Sequence, residues 1–195
     1  MHTTALFLFL TLGLVFSSSA QTTWTFDKAH TTIGFEVTHL VITTVDGKFK
    51  SFEGNVTTKG DSFEDAKVDF TVDVASITTD NDKRDTHLRS DDFFNAEKYP
   101  KMTFKSVSMK NVSGKKYKLV GDLTIRDKTR RVELDAVLNG TVKDPWGNTK
   151  AGFRLTGEIN RFDYDLKWNT LMEAGGAVVS KDVQFNINVQ LQKKS

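Results

Sequence analysis

From Gln21 onward, apolar and polar residues alternate with period two. Ile33, Phe35 and Val37 alternate with Gly34, Glu36 and Thr38, and Val68, Phe70, Val72 and Val74 alternate with Lys67, Asp69, Thr71 and Asp73. Strand side chains point alternately to opposite faces, so each such run predicts a strand with one buried face. Leu119, Gly121, Leu123 and Ile125 form another run, followed by Val132, Leu134, Ala136 and Leu138, then Ala151, Phe153, Leu155 and Ile159. The last run is the cleanest: Val183, Phe185, Ile187, Val189 and Leu191 interleave with Gln184, Asn186, Asn188 and Gln190.

Turn-rich pieces separate the runs. They are Asp46-Gly47, Lys59-Gly60-Asp61, Ser113-Gly114, Arg126-Asp127-Lys128-Thr129, Asp144-Pro145-Trp146-Gly147-Asn148 and Gly175-Gly176. Connections this short favour an antiparallel meander. Phe49 and Phe52 cannot both face inward on an uninterrupted strand, which predicts a bulge or bend between Lys50 and Gly54. One interval, Thr79 to Tyr99, departs from the strand rhythm. There Asp80, Asn81 or Asp82 is placed to cap a short helix near residues 82–94, and Pro100 ends it. The reading is therefore all-β, with about eight antiparallel strands and one short helical segment. A sheet with one apolar face must roll up or pack on a second sheet. An extended barrel is the preferred solution, and periodicity alone leaves a secreted structural sandwich with a filled core open.

Residues 1–20 change the picture of where the chain works. They carry no Lys, Arg, Asp or Glu, and an apolar run from Ala5 to Phe16 leads into Ser17-Ser18-Ser19-Ala20. This reads as a signal peptide cut before Gln21, leaving one domain, 21–195, with no integral membrane span. Its formal net charge is +2, with both signs scattered, so the electrostatic footprint of a nucleic-acid binder is missing. The sequence has no cysteine, which rules out disulfides and thiolate chemistry.

The spellings within the runs add a resemblance. Ile33-Gly34-Phe35-Glu36-Val37-Thr38-His39-Leu40, Val45-Asp46-Gly47-Lys48-Phe49 and Phe52-Glu53-Gly54 resemble the amino-terminal signature of the YceI-like family. Arg84-Asp85-Thr86-His87-Leu88-Arg89-Ser90 with Asp92-Phe93-Phe94 and Tyr99-Pro100 resembles its central segment. Gly121-Asp122-Leu123-Thr124-Ile125, Ile159-Asn160-Arg161 and Leu166-Lys167-Trp168-Asn169 resemble its later motifs. The resemblance implies a lipocalin-like antiparallel barrel around an apolar channel that holds a polyisoprenoid, or a fatty amide or similar amphiphile. It also implies an exported, typically periplasmic protein, with bound lipid as ligand and no other cofactor.

On that basis Phe35, Val37, Phe49, Phe70, Val72, Leu88, Phe93, Phe104, Leu119, Leu123, Phe153, Phe185 and Ile187 are the candidates to line the channel. His39, Arg84 and His87 are candidates for a polar head group, through charge-assisted hydrogen bonds. Without the resemblance, the same apolar residues equally describe a solid core. His30, His39 and His87 match no familiar metal-ligand spacing, so no metal site is expected. Asp91-Asp92 and Asp163/Asp165 are the dense acidic pairs, and the latter sits in what reads as an exposed turn; no catalytic residue is assigned, and a periplasmic enzyme remains the lesser alternative. Exposed edges or barrel mouths leave a homodimer open.

Overall fold

The computed structural model describes residues 21–173 and 177–194, so the expected leader and the Gly175-Gly176 turn lie outside it. The strands are β1 (Gln21–Phe26), β2 (Thr32–His39), β3 (Thr43–Phe49), β4 (Phe52–Lys59), β5 (Ser62–Asp73), β6 (Ile77–Thr78), β7 (Lys101–Ser113), β8 (Lys116–Ile125), β9 (Lys128–Lys143), β10 (Thr149–Asn160) and β11 (Val179–Lys193). Every pairing between them is antiparallel.

Eleven strands make eight ribbons. Both β1 and β2 lie along β11, with Phe26 opposite Leu191 and Thr32 opposite Asn188, so they are one ribbon interrupted at 27–31. β3 runs on into β4 through a bend at Lys50-Ser51, and β5 into β6 through a single 3-10 turn, Val74–Ser76. The three interruptions are neighbours: 27–31 falls between the pairs Thr25–Asn55 and Ile33–Phe49, beside Lys50-Ser51, while Lys50 N–H donates to Ser76 O (3.2 Å) and Asp73 N–H to Ser51 O (2.9 Å). Because β1 pairs with both β4 and β11, the sheet closes on itself. Closure leaves one interior, and that overturns the sandwich alternative.

The bend at Lys50-Ser51 lets Phe49 and Phe52 both turn inward, and both are buried. Asp46-Gly47 is not a turn. These residues continue β3 opposite Glu36 and Phe35, and the connection is made earlier, at Leu40-Val41-Ile42. The helix α1 (Asp82–Arg89) starts at Asn81, whose side chain accepts from Arg84 N–H at 3.0 Å. It stops at Arg89, short of residue 94. Beyond it, Phe94 N–H returns to Leu88 O and Ala96 N–H to Arg89 O, which satisfies the last-turn carbonyls.

The two ends of the barrel differ. At the end holding Gln21 and Lys193, a solid floor is built from Trp24, Phe63 and Phe153. Trp24 packs at a tilt against Phe63 with centroids 5.1 Å apart, Phe63 meets Phe153 edge-on at 4.8 Å, and the Trp24 indole N–H donates to Thr58 Oγ1 at 3.1 Å. α1, the loop after it, and the segment following β10 gather at the opposite, upper end. No helix among the described residues is long and apolar enough to cross a membrane.

Candidate functional site

Above the floor, inward residues of the wall do not meet across the axis. They enclose a cavity of about 180 Å³ whose lining is almost wholly carbon. β11 alone lines it from Val179 to Val189, which is roughly 30 Å of strand. A polar void of this volume would fill with water, whereas one walled by Phe, Leu, Ile and Val stays dry and suits an apolar guest.

The structure brings the apolar candidates together around this cavity, with one exception. Phe153 belongs to the floor, packed on Phe63 and Tyr117. It keeps the inward phase of its strand but sits too near the closed end. The upper end is roofed by Leu88, Phe93, Phe94 and Leu166. Phe94 stands edge-on to Phe49 at 5.9 Å and ties this roof to β3.

The three head-group candidates do not converge. Arg84 is exposed, and its guanidinium is held at Thr79, with Nε to Oγ1 at 2.7 Å and a terminal nitrogen to the carbonyl at 2.8 Å. His39 ends β2 opposite Val179 and lines no part of the cavity. His87 lies just outside the roof: its ring is edge-on to Phe93 (5.0 Å) and Trp168 (5.4 Å), and Nε2 is 2.8 Å from Asp92 Oδ2. Asp85 does not pair with Arg89. It is buried and accepts from Thr79 N–H (2.7 Å) and hydroxyl (2.6 Å). Burial works against its ionisation, but these bonds outweigh it and hold the carboxyl below its usual range.

Arg161 lines the cavity instead, in a stretch that reads from sequence as an exposed turn. It is 2% exposed, and neighbouring Tyr164 is 1% exposed. Its Nε donates to Ser180 O (2.9 Å), and one terminal nitrogen donates to Leu166 O (2.6 Å) and Trp168 O (2.7 Å). The other terminal nitrogen donates to Val179 O (3.3 Å). Burial alone lowers its pKa from the usual guanidinium value, and no carboxylate offsets it. A guanidinium carries five N–H groups, and four of them are engaged here by backbone carbonyls. The Ile159-Asn160-Arg161 spelling marked this residue without revealing its direction.

The acidic pairs lie apart from the cavity lining, and three of their four members face a cation or a histidine. Asp163 and Asp165 lie on and after a 3-10 turn (Arg161–Tyr164), with Asp165 beside Lys128 and Lys167. Asp91 pairs with Arg126, and Asp92 faces His87. Among the described residues no group of three His, Asp or Glu is placed to hold a metal ion. His30 and His39 stand at opposite ends of β2, separated by roughly 30 Å of chain.

The fold of this barrel has known counterparts. A YceI protein of Campylobacter jejuni superposes with a TM-score of 0.72 at 38% identity, over 87% of this chain and 96% of that one. A domain from Saccharophagus degradans, described as polyisoprenoid binding, shares the fold alone at 16% identity and a TM-score of 0.58, over 88% of this chain and 98% of that one. In sequence, a UPF0312 protein of Staphylococcus aureus (bovine strain RF122) is 37% identical over 171 residues, covering 87% of this chain and 97% of its own length. The YceI-like domain model matches residues 24–191, from within β1 to within β11, and the chain accordingly belongs to the YceI-like family.

Proposed function

We propose that this protein binds a long-chain amphiphilic lipid, a polyisoprenoid or similar, in the upper cavity, and so sequesters or carries it. The carrying observation is the cavity itself: roughly 30 Å of lined wall around only about 180 Å³. Such proportions suit a single flexible chain better than a fused ring system. Transfer of a chain from water gains about 25 cal/mol per Å² of apolar surface removed, so a tunnel of carbon is a sufficient trap. The polyisoprenoid binding attributed to the Saccharophagus domain of the same fold supports this choice of ligand.

In this reading the polar head lies at the upper end, by the roof that Arg161 braces from below, with His87 and Asp92 just outside it. Arg161 is the one charged residue lining the cavity among the described residues, and no carboxylate faces it there. That favours binding over hydrolysis. The apolar leader of residues 1–20 supports export, to a periplasm or to the outside, with removal before Gln21.

The test is organic extraction of the purified protein followed by mass spectrometry. A co-purifying long-chain lipid is the expected result. A barrel that comes out empty and takes up no such lipid from vesicles sinks the proposal.

A further inference from the structure

The connection between β2 and β3 is built from residues that fit its geometry poorly. Leu40 and Val41 both have positive φ (51° and 64°), and Ile42 N–H returns to His39 O at 3.2 Å, the φ signature of a type I′ turn. Such turns favour Asn-Gly, because a side chain at positive φ is strained and a β-branched one most of all. Here the strained pair is also apolar and turned to water. Val41 is 70% exposed and the next residue, Ile42, 80%.

A further exposed apolar residue joins them. Leu40 N–H donates to Val178 O, and Val178 N–H donates to Thr170 O. Leu171 therefore stands two strand spacings from the turn, roughly 10 Å away. It is 68% exposed.

This rim adjoins the cavity. Val37 and Val179 line the void, and His39, opposite Val179, leads straight into the turn. The exposed Trp146 and Val142 lie at the other end, beyond the filled floor. Strain at an apolar, solvent-facing tip is unfavourable in the free protein on two counts. Tips of this kind mark functional contacts.

The patch is small, a few exposed side chains where a stable protein interface takes roughly 20–30 residues a side. It therefore suits a soft, deformable apolar phase better than a second copy of this chain. We infer that Leu40, Val41, Ile42 and Leu171 dock the barrel on a lipid bilayer, with the cavity end toward the membrane. The inference rests on the lipid-carrier reading for its purpose, but its test does not.

The decisive variant is L40N/V41G, which installs the preferred type I′ pair and relieves the strain. Flotation with phosphatidylcholine vesicles, with and without phosphatidylglycerol, is measured for the wild type, L40N/V41G, L171S and the control W146S. The wild type and W146S are expected to float. L40N/V41G and L171S lose vesicle partition by about tenfold or more, because each buried CH₂ contributes about 0.8 kcal/mol. L40N/V41G also melts higher than wild type, which separates lost docking from lost fold.

The inference is overturned if wild type does not float, if L40N/V41G floats equally well, or if the tip instead supports a dimer that this variant dissolves. Extraction of the same samples reads the cavity separately. A non-floating variant that still contains lipid supports both ideas, and a floating wild type with an empty barrel sinks the carrier reading alone.

Discussion

The ring of Phe35 occupies the space in which a side chain on Gly47 would stand: a Cβ there would fall 2.1 Å from Phe35 Cζ. The two residues are opposite each other on β2 and β3, and Phe35 lines the cavity. Gly121 and Phe104 repeat the device across the barrel, with a Cβ 2.3 Å from the ring. Both rings lie back against the wall because a glycine makes room. Gly47→Ala is expected to lever Phe35 into the void, weakening lipid uptake several-fold and costing about 1–3 kcal/mol by overpacking. Uptake of a fluorescent long-chain lipid and urea unfolding check both effects, and F35L/G47A should recover part of each.

Filling the void has a different signature. Leu155 lines it from β10, and Leu155→Trp places a ring into existing space. Lipid uptake is expected to be abolished while the melting temperature changes little, since unfilled volume accommodates the added atoms. Uptake that survives with normal affinity would place the ligand elsewhere.

Asp27 is expected to make the fold less stable in acid. Its carboxylate accepts from Lys150 Nζ (2.9 Å) and the Gln190 amide (2.9 Å), and His30 Nδ1 lies at 3.1 Å. Burial opposes ionisation there, but these partners prevail and hold the pKa far below the usual carboxylate value. A folded pKa lowered in this way contributes stability that is complete above the unfolded value, near 4, and is lost as pH falls toward the folded one. Asp27→Asn should therefore destabilise by roughly 1–3 kcal/mol at pH 7 and flatten the loss of stability below pH 4. Urea titrations across that range measure it.

Arg161 gathers the carbonyls of Leu166, Trp168, Val179 and Ser180 into the upper end of the barrel. Arg161→Met leaves these acceptors without a donor at a cost of about 3 kcal/mol or more. Arg161→Lys restores a charge but not the planar fork, so it should recover only part of the stability. Amide exchange over residues 166–173 should accelerate in both variants, more in the methionine one, while exchange at the floor stays slow.

Much of this architecture is legible in the residues. Period two in Val183–Leu191 gave inside and outside without ambiguity, and the Phe49/Phe52 slip located the bend at Lys50-Ser51. The hollow was not legible, because whether facing side chains meet depends on their sizes summed around a closed ring. Phe153 shows the limit: it shares the phase of Leu155, yet one belongs to the floor and the other to the cavity. Turn chemistry misled at Asp46-Gly47, where the glycine serves a neighbouring ring, and at Leu40-Val41, where the turn uses residues that turns avoid. Arg161 and Tyr164 look exposed because they are polar and lie among acids; only the fold shows that they point inward.

The interruptions at 27–31, Lys50-Ser51 and Val74–Ser76 form one contiguous seam across three adjacent ribbons. Along the outer edge of β3 above it, only Lys48 and Phe49 find a partner in β6, leaving Thr43–Gly47 unladdered on that side. This panel is therefore held by fewer backbone ladders than the plugged base. The consequence is uneven protection: amides of this sector should trade protons with solvent well before those of β10 and β11, which are laddered along their length.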